Sequence, residues 1–428
     1  PNITGYFVVP TPGAANTVGG SGDFAPEVIF SVDEGTYRTN FSLTLSTLSP
    51  TAIIRYVLVT NAASAAATNV PSATSAQYTT PIPITGTMQV RARAFETGKF
   101  PGTPVTKSYI QLNNNVVNFS SDLPLVIIHS FGSGSFSGGG GSQVDTISVV
   151  AIFDVDPETG RSSLTNKPQV LTRAGINLRG SSTQGFPKSS YAVEFLNEFN
   201  DDKDAAVLGM AEESDWVFYS PNQFDISLIH NPLIFDISRD MGRWAPKTRM
   251  VEVFVNTTGG AITWPSPNGG NYNGVYVLSE KVKRNANRLD IDRLQPENNN
   301  VTNGLSGGYL FKIDRVDANE RTFTVNGQGV IYQEPATLGF NIPQWAPHEQ
   351  YVQGYFNQFV AALNGANYTN PVTGFRAYVD VESWYDHNLL NVLTINVDAL
   401  RLSAYFFKDR DKKLEMGPIW DFDRSAGT

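Results

Sequence analysis

The stretch HNLLNVLTINVDALRLSAYFFKDRDKKLEMGPIWDFD, residues 387–423, decides the fold of the C-terminal part of the chain. Within it, Leu402, Ala404 and Phe406 alternate with outward-facing residues, and a second apolar run covers residues 414–419. The four residues DRDK between the two runs suit the loop of a hairpin. We therefore predict two antiparallel strands that turn at residues 410 and 411.

The predicted hairpin brings carboxylates together at its open end. Asp398 lies opposite the neighbourhood of Asp423, and Asp421 lies opposite that of Leu400. Such a pair can bind Mg²⁺, Mn²⁺ or Ca²⁺, which prefer hard oxygen ligands. One carboxylate can instead act as a general base beside a metal in phosphoryl transfer, or both can flank a glycosidic bond. A solvated acidic loop end without function is the fourth alternative, and spacing alone does not choose among them.

Residues 123–428 combine predicted strands with predicted helices. Apolar runs of strand length cover residues 123–129, 146–153, 173–179, 190–195, 249–256, 273–279 and 308–314. Apolar residues recur every four positions over 225–241 and predict a helix, which Pro232 should kink or restart. A second helix is predicted at 380–395 with Asp380 as its N-cap. The fold class is therefore α+β, with two lobes.

Residues 26–111 predict a small β-sandwich, because short alternating runs recur about every ten residues between turn-forming residues. The segments PEVIFSVDEGTY, IIRYVLVTN and SAQYTTPIPITGTMQVRARAFETGKFPG resemble the immunoglobulin-like module at the C-terminus of chitobiases. That resemblance implies a module without catalytic residues, which acts as a spacer or binds a surface polysaccharide. Residues 1–25 are rich in Pro, Gly and Ala, and we interpret them as the tail of a preceding module plus a linker.

Composition narrows the class of partner. The 428 residues carry a net charge of −9 without clusters of Lys and Arg, which argues against nucleic acid as the main partner. No run of about 18 apolar residues occurs, so no membrane span is expected in this chain. The low share of charged residues, 17%, and the abundance of Ser, Thr and Asn favour an exported bacterial protein, either extracellular or at the cell surface. The absence of cysteine excludes disulfides and thiolate chemistry.

The motifs of the second part follow one another in an order that is typical of one family. They are INLRGSSTQGFPKSSYAVEF (176–195), LGMAEESDWVFYSP (208–221), FDISLIHN (224–231), MGRWAPKTRMVEVFVN (241–256), YNGVYVLSEKVKRNANRLDI (272–291), GGYLFKID (307–314), NVDALRLSAYFFKD and GPIWDFD. Residues 123–428 thereby resemble the spore-coat CotH family of atypical kinases. The resemblance implies a reduced, two-lobed protein-kinase-like fold. The family pattern continues beyond WDFDRSAG, so we expect further helices of this domain to be missing from the chain.

The resemblance also assigns roles to individual residues. Lys188 resembles the lysine that contacts the nucleotide phosphates, and Glu280 resembles the acidic residue that orients this lysine. Asp398 resembles the catalytic aspartate that accepts the hydroxyl proton. Asp421 resembles the metal-binding aspartate of a DFG-like element, and Asp423 can support the metal. Phosphoryl transfer needs such a set because it depends on in-line positioning and on neutralising phosphate charge.

Three further features extend this pattern or depart from it. Ordinary kinases carry Asn five residues after the catalytic aspartate, where this chain has Ser403, whose hydroxyl is a weaker metal ligand. Arg179 in the RGSS motif is a candidate phosphate contact, with a surface or ion-pair role as the alternative. The Gly-rich run GSGSFSGGGG, residues 132–141, is predicted to be the loop of a hairpin, with a nucleotide contact as the alternative.

We therefore expect a secreted or cell-surface kinase that uses ATP with Mg²⁺ or Mn²⁺ to phosphorylate Ser or Thr of an extracytoplasmic protein. A non-catalytic adhesion or matrix protein with a kinase-like binding domain is the alternative. Retention of Lys188, Glu280, Asp398 and Asp421 favours activity, because a scaffold has no physical need for all four. A third possibility, a carbohydrate-active enzyme with paired carboxylates, is suggested only by the chitobiase-like module.

Overall fold

The structure is a computed structural model that describes residues 23–60, 67–138, 145–180, 183–184, 186–221, 224–264, 270–295, 304–317, 320–335 and 343–427. The linker predicted at 1–25 falls almost entirely outside these residues. Within them, strands dominate and are accompanied by three α-helices, which agrees with the predicted α+β class.

The N-terminal module is built from short strands. They are β1 (Ile29–Phe30), β2 (Gly35–Tyr37), β3 (Phe41–Leu43), β4 (Leu45–Ser46), β5 (Ile53–Val59), β6 (Ala76–Gln77), β7 (Ile82–Ile84), β8 (Met88–Phe95) and β9 (Val105–Gln111). A five-stranded sheet of order β2-β9-β8-β5-β6 shares one core with the pairs β3–β7 and β1–β4. Val90, Ala92 and Ala94 of β8 point into this core, as their alternation predicts. The immunoglobulin-like assignment stays a prediction.

The middle of the chain forms a closed barrel. Its strands and their neighbours are β10 (Ser120–Ser121), β11 (Leu125–His129), β12 (Thr146–Phe153), β13 (Ser162–Ser163), β14 (Val170–Arg179), β15 (Ser190–Leu196), β16 (Ala205–Val207), β17 (Met210–Glu213), β18 (Asp215–Tyr219), β19 (Thr248–Asn256) and β20 (Tyr272–Glu280). Seven strands close in the order β11-β12-β14-β15-β18-β20-β19. β11 and β19 run parallel, and the other neighbours run antiparallel. The six strands predicted between residues 123 and 279 are confirmed as barrel strands.

Strands β11 and β12 are buried on both faces. Val126 and Ile128 of β11 point into the barrel, whereas Ile127 belongs to a second apolar cluster outside it, which includes Val59 and Ile110 of the module. Strands that are covered on both sides are typically continuous apolar runs rather than alternating ones. This explains the sequences LPLVIIH and TISVVAIF. The module and the barrel thus share a hydrophobic core.

Two buried arginines cross the same boundary. Arg173 on β14 donates hydrogen bonds to the carbonyl oxygens of Ala67 in the module, at 2.8 Å, and Asn197, at 2.6 Å. Arg91 on β8 donates to the carbonyl oxygen of Glu198 at 2.5 Å. Burial, together with the neighbouring charge of Arg173, lowers the pKa of Arg91 to about 10. The module is therefore bonded to the barrel as well as packed against it.

Helix α1 (His230–Asp240) connects β18 to β19 and is shorter than predicted. The predicted helix over 225–241 starts five residues too early. Pro232 lies in the first turn, where a backbone N–H has no partner within the helix, so it neither kinks nor restarts α1.

The C-terminal part is a sheet covered by helices. Its strands are β21 (Tyr309–Ile313), β22 (Thr322–Val325), β23 (Gln328–Glu334), β24 (Ala404–Lys408) and β25 (Leu414–Met416), in the order β22-β23-β21-β24-β25. The helices are α2 (Ala346–Asn364) and α3 (Val381–Leu393), with short 3-10 helices at Pro343–Trp345 and Phe375–Ala377. Val352 and Phe356 of α2 pack on Phe311 and Phe406 of the sheet. None of the described helices is long and apolar enough to cross a membrane.

Strands β24 and β25 form the predicted hairpin, with a small difference in register. Phe406 pairs with Met416 and Lys408 with Leu414, one residue beyond the predicted pairing. The loop contains five residues, 409–413, rather than four, and Asp411 within it takes a left-handed conformation with φ of 56°. The helix predicted at 380–395 is also confirmed, as α3. Asp380 is its N-cap as predicted, because its carboxylate accepts the Ser383 N–H at 2.8 Å.

Candidate active site

A cavity of about 780 Å³ lies between the barrel and the C-terminal sheet. Ala192, Val217 and Val277 form part of its barrel wall. They point outward because their neighbours along each strand, such as Trp216 and Leu278, point into the barrel core. The facing wall carries Ser403 and the acidic residues Asp314, Asp398, Asp421 and Asp423. The cavity thus joins an apolar surface of one lobe to an acidic surface of the other.

Ser403 lies between two carboxylates at the centre of the acidic wall. Its Oγ is 3.2 Å from Oδ2 of Asp314, which directly follows β21. The same Oγ is 3.3 Å from Oδ2 of Asp421. Ser403 directly precedes β24, and β24 pairs with β21, so the sheet itself brings Asp314 and Ser403 together.

Negative charge accumulates at this point. Burial raises the pKa of Asp421, and the charges of Asp314 and Asp398 raise it further, although the Ser403 hydroxyl and Arg179 act in the opposite direction. Burial also raises the pKa of Asp423 to about 7, and the Asp421 charge is the next cause. The raised pKa values mean that the protein groups nearby do not fully compensate the charge of these carboxylates.

Asp398 lies at the rim of the same acidic group and is held by arginines. Its Oδ1 pairs with Arg401, and its Oδ2 is 3.3 Å from Nη1 of Arg424. The Asp398 N–H donates to Oδ1 of Asn396 at 3.1 Å. The residue is 8% exposed and lines the cavity. Its ion pairs and its burial together fix the orientation of the carboxylate.

The first turn of α1 holds the loop that carries Asp421 and Asp423. The Phe422 N–H donates to Oδ1 of Asn231 at 2.7 Å. The carbonyl oxygen of Asp423 is 3.1 Å from Nδ1 of His230. The Phe422 ring is buried in a cluster with residues of α1. The two carboxylates are therefore anchored through the backbone between them.

Two cationic groups lie beside the acidic residues of the cavity. The Arg179 guanidinium lies 5.2 Å from the centre of the Trp420 ring, next to Asp421, and its charge lowers the pKa of Asp421. Lys312 on β21 pairs with Glu320, with 2.6 Å between Nζ and Oε1. Arg179, Trp420, Lys312 and Glu320 all line the cavity, as Asp421 does.

The family of the chain is shown by its match to a family model. A family model described as CotH kinase protein matches residues 176–428, which is more than half of the chain. The chain belongs to the CotH kinase family. The match includes the whole acidic wall and the barrel strands that face it. It does not include the N-terminal module. No curated protein matches the chain.

In this CotH domain, the expected pair of Lys188 and Glu280 is not formed. Lys188 Nζ donates to the Val275 carbonyl oxygen and lies 4.5 Å from the centre of the Tyr276 ring. Glu280 lies five residues further along β20, which corresponds to about 16 Å at about 3.3 Å per residue. Its carboxylate accepts the Lys247 N–H at 2.9 Å. The prediction that these side chains form a pair is therefore wrong.

Strand alternation explains the placement of Glu280. Glu280 lies on the same face of β20 as Leu278, which points into the barrel. Ser279 lies on the opposite face and lines the cavity, as Lys281 does. Lys188 precedes the first residue of β15, so alternation does not fix its direction, and burial lowers its pKa to about 8. In the described lining of the cavity, neither Lys188 nor Glu280 takes part.

The Gly-rich run lies between β11 and β12, which form the expected antiparallel pair. Its described residues 132–138 connect to the barrel, since the Leu178 N–H donates to the Ser137 carbonyl oxygen at 2.7 Å and Phe136 joins the barrel core. They do not contribute to the cavity lining. Residues 139–141 lie outside the described residues, so a nucleotide contact of that part stays a prediction.

The sequence interpretation missed Asp314, Lys312 and Glu320. The alternation in GGYLFKID was a usable signal, because residues two apart on a strand share a face, and one end of β21 therefore presents both Lys312 and Asp314. Within the described ranges, no group of three or more His, Asp or Glu side chains has an arrangement that could hold a metal by itself. A metal here would need ligands from the substrate or from water.

Proposed function

We propose that this CotH-family protein is a phosphotransferase that moves the γ-phosphoryl group of ATP to a Ser or Thr hydroxyl of an extracytoplasmic protein. We place it outside the bacterial cell or at its surface. The observation that carries the proposal is the single cavity that joins Asp398 to Asp421, Ser403 and Arg179. Phosphoryl transfer requires a proton acceptor, a cation site and a phosphate-binding cation in one place.

Asp398 is the proton acceptor in this proposal. Arg401 and Arg424 hold its carboxylate in place, so it can receive the proton of an acceptor hydroxyl without moving. A carboxylate fixed before the substrate arrives contributes through orientation, because the reacting groups meet without further ordering.

Asp421, Ser403 and Asp423 fit a divalent cation site. The test of this fit is the half-buried carboxylate of Asp421, whose pKa is raised by burial and then by the charges of Asp314 and Asp398, so that a cation placed beside it would be stabilised. Mg²⁺ commonly takes only one or two protein carboxylates and fills its other positions with water and substrate phosphates. When bound, Mg²⁺ or Mn²⁺ would neutralise charge on the phosphate oxygens.

The nucleotide would lie across the cavity. Ala192, Val217 and Val277 offer an apolar surface for a base, and Arg179 and Lys312 offer positive charge for phosphates. These cations take the role that the family pattern suggested for Lys188. Lys188 and Glu280 are then structural residues of the barrel end.

The test is transfer of labelled phosphate from ATP in the presence of Mn²⁺. We expect Asp398→Asn to lose at least about 100-fold in rate, the lower range for removal of a general base. We expect a loss of at least about the same size for Asp421→Ala, because it removes a carboxylate that would hold the metal. Asp240→Asn, an exposed change at the end of α1, is the matched control and should keep the wild-type rate. Equal label incorporation by all four proteins would refute the phosphotransferase.

A non-catalytic surface protein is the second candidate. The observation that favours it is the double ion pair of Asp398, which occupies both carboxylate oxygens. The N-terminal module would then bind a surface polysaccharide, and the kinase-like part would bind ligands without transfer. Nucleotide binding by the wild type without any transfer or hydrolysis would support this candidate.

A further inference from the structure

A chain of side-chain hydrogen bonds runs from helix α3 to the backbone of Asp398. The Asp398 N–H donates to Oδ1 of Asn396 at 3.1 Å. Nδ2 of Asn396 donates to Oδ1 of Asn391 at 3.0 Å. Nδ2 of Asn391 lies 3.1 Å from Nδ1 of His387 and donates to the His387 carbonyl oxygen at 2.9 Å. The chain thus links the proposed proton acceptor to the buried face of α3.

The bonds of this chain all have the same direction. An amide nitrogen only donates hydrogen bonds, so Nδ1 of His387 is the acceptor and the proton of the neutral ring lies on Nε2. Burial lowers the pKa of His387 to about 4, so the ring is neutral near pH 7. With Nδ2 of Asn391 turned toward His387, its Oδ1 is left to accept from Asn396. Asn396 then presents its own Oδ1 to the Asp398 N–H, so His387 sets the orientation of both amides.

His387 and Asn391 are deeply buried, at 7% and 6% exposure, and neither belongs to the described lining of the large cavity. Buried polar side chains need hydrogen-bond partners, and these two residues supply partners to each other and to Asn396. A buried network of this kind favours one arrangement of the groups that it connects. The group at its open end is the backbone of Asp398.

The backbone that the chain holds contains unfavourable conformations. Ile395, between Asn391 and Asn396, has a φ of 53°, and Leu400, two residues after Asp398, has a φ of 64°. Such left-handed angles are costly for branched and bulky residues, and they persist only where the surrounding structure enforces them. The Asn396 N–H donates to the Asn391 carbonyl oxygen at 3.0 Å. Asn391 therefore holds Asn396 through its backbone and its side chain, across the strained Ile395.

Resting on the proposed function, we infer that His387 and Asn391 are positioning residues for Asp398, which they hold through Asn396. The two arginine partners of Asp398 fix its carboxylate, whereas the chain from α3 fixes its backbone. The proton acceptor is thereby held at both ends. This matters because a displacement of about 1 Å at a reacting group can cost about 100-fold in rate.

Hydrogen exchange of the Asp398 amide tests this inference without any need for activity. Mass spectrometry with fragmentation to single residues follows this amide in the full chain. We expect His387→Leu and Asn391→Ala to speed its exchange at least about tenfold, because each interrupts the chain that holds it. His387→Asn should stay within about threefold of the wild type, since the Asn Oδ1 can accept in place of Nδ1. Asn388→Ala, on the exposed face of α3, is the matched control and should exchange like the wild type.

Steady-state kinetics with ATP and Mn²⁺ give a second readout. We expect kcat to fall at least about tenfold in His387→Leu and Asn391→Ala, because the proton acceptor is displaced. The KM for ATP should stay within about twofold, since neither residue lines the cavity. His387→Asn should recover most of kcat, which a purely structural role of the imidazole ring would not allow. If Asn391→Ala does not fold, Asn396→Ala interrupts the same chain.

Equal exchange of the Asp398 amide in the wild type, His387→Leu and Asn391→Ala would overturn the inference. A loss in His387→Leu that His387→Asn does not recover would overturn it as well. Failure of the proposed function has a different signature. In that case, the exchange rates would follow the expected order, while the wild type transfers no phosphate from ATP.

Discussion

The backbone N–H of Phe422 donates a 2.7 Å hydrogen bond to the side-chain oxygen of Asn231, 191 residues earlier in the chain. This bond ties the loop of the two acidic residues to the start of α1. Both residues are buried, with Phe422 1% and Asn231 6% exposed. The position of Asp421 and Asp423 therefore depends on a helix that contributes no carboxylate to the site.

Asn231→Ala is expected to destabilise the protein by about 1–3 kcal/mol, because it leaves the buried Phe422 N–H without its acceptor. Denaturant unfolding measures this difference. Asn388→Ala, at an exposed position of α3, is the control and should change the free energy of unfolding by less than about 0.5 kcal/mol. A cost for Asn231→Ala no larger than that of the control would show that the bond does not anchor the loop.

The raised pKa of Asp423 predicts a pH dependence of stability in metal-free protein. Its pKa is about 7 in the folded state against 3.8 as the ordinary value, so the folded state binds the proton more tightly. The resulting contribution to stability is present at low pH and is lost as the pH rises from about 4 to about 7.

Asp423→Asn should remove this dependence and raise stability at pH 8 relative to the wild type. Denaturant midpoints between pH 4.5 and 8 in EDTA measure the effect, with Asp33→Asn on the exposed surface of the module as the control. The prediction fails if Asp423→Asn and the wild type show parallel pH profiles.

Lys312 and Lys188 should differ in their effect on nucleotide use. Lys312 lines the cavity, whereas Lys188 Nζ contacts the Val275 carbonyl oxygen. A charge-assisted hydrogen bond to phosphate contributes about 1.5–3 kcal/mol, so Lys312→Met should raise the KM for ATP by about ten- to a hundredfold. Lys188→Met should change it by less than about threefold. A larger effect from Lys188 would restore the role that the family pattern gives this residue.

Arg173 should couple the unfolding of the module to that of the barrel. Arg173→Met removes the donors to Ala67 and Asn197 and leaves buried carbonyl oxygens unsatisfied, at a cost of about 1–3 kcal/mol or more. Calorimetry should show one transition in the wild type and a broader or split one in the variant. Arg161→Met is the control, because Arg161 bonds to Ser120 at an exposed site. Two separate transitions already in the wild type would contradict this coupling.

Much of the architecture follows from local sequence pattern. The apolar runs located six of the seven barrel strands, all except β18, and the two runs around DRDK located the hairpin of β24 and β25. The register differs by one residue because loop length depends on a left-handed residue, Asp411, that composition does not reveal. Helix α2 was missed altogether, although its buried residues Val352 and Phe356 lie four apart.

The candidate site was only partly predictable. Asp398, Ser403, Asp421 and Asp423 are close in sequence to one hairpin, so local pairing brings them together. Asp314 joins them through β21, which is the partner of β24 on its other side and is far away in the chain. The expected pair of Lys188 and Glu280 is not formed, because Lys188 bonds to the backbone at Val275 and Glu280 lies five residues further along β20.

The two-sided burial of β11 has a consequence for how such a protein can arise by gene rearrangement. If the part from residue 123 onward were transferred without the module, the outer face around Ile127 would become an exposed apolar surface, which favours aggregation. Fusion of the barrel to an unrelated N-terminal module would leave the same apolar face exposed, unless that module supplied apolar residues to cover it. The two parts are therefore expected to be inherited as a single unit, even though the family match begins only at residue 176, within strand β14.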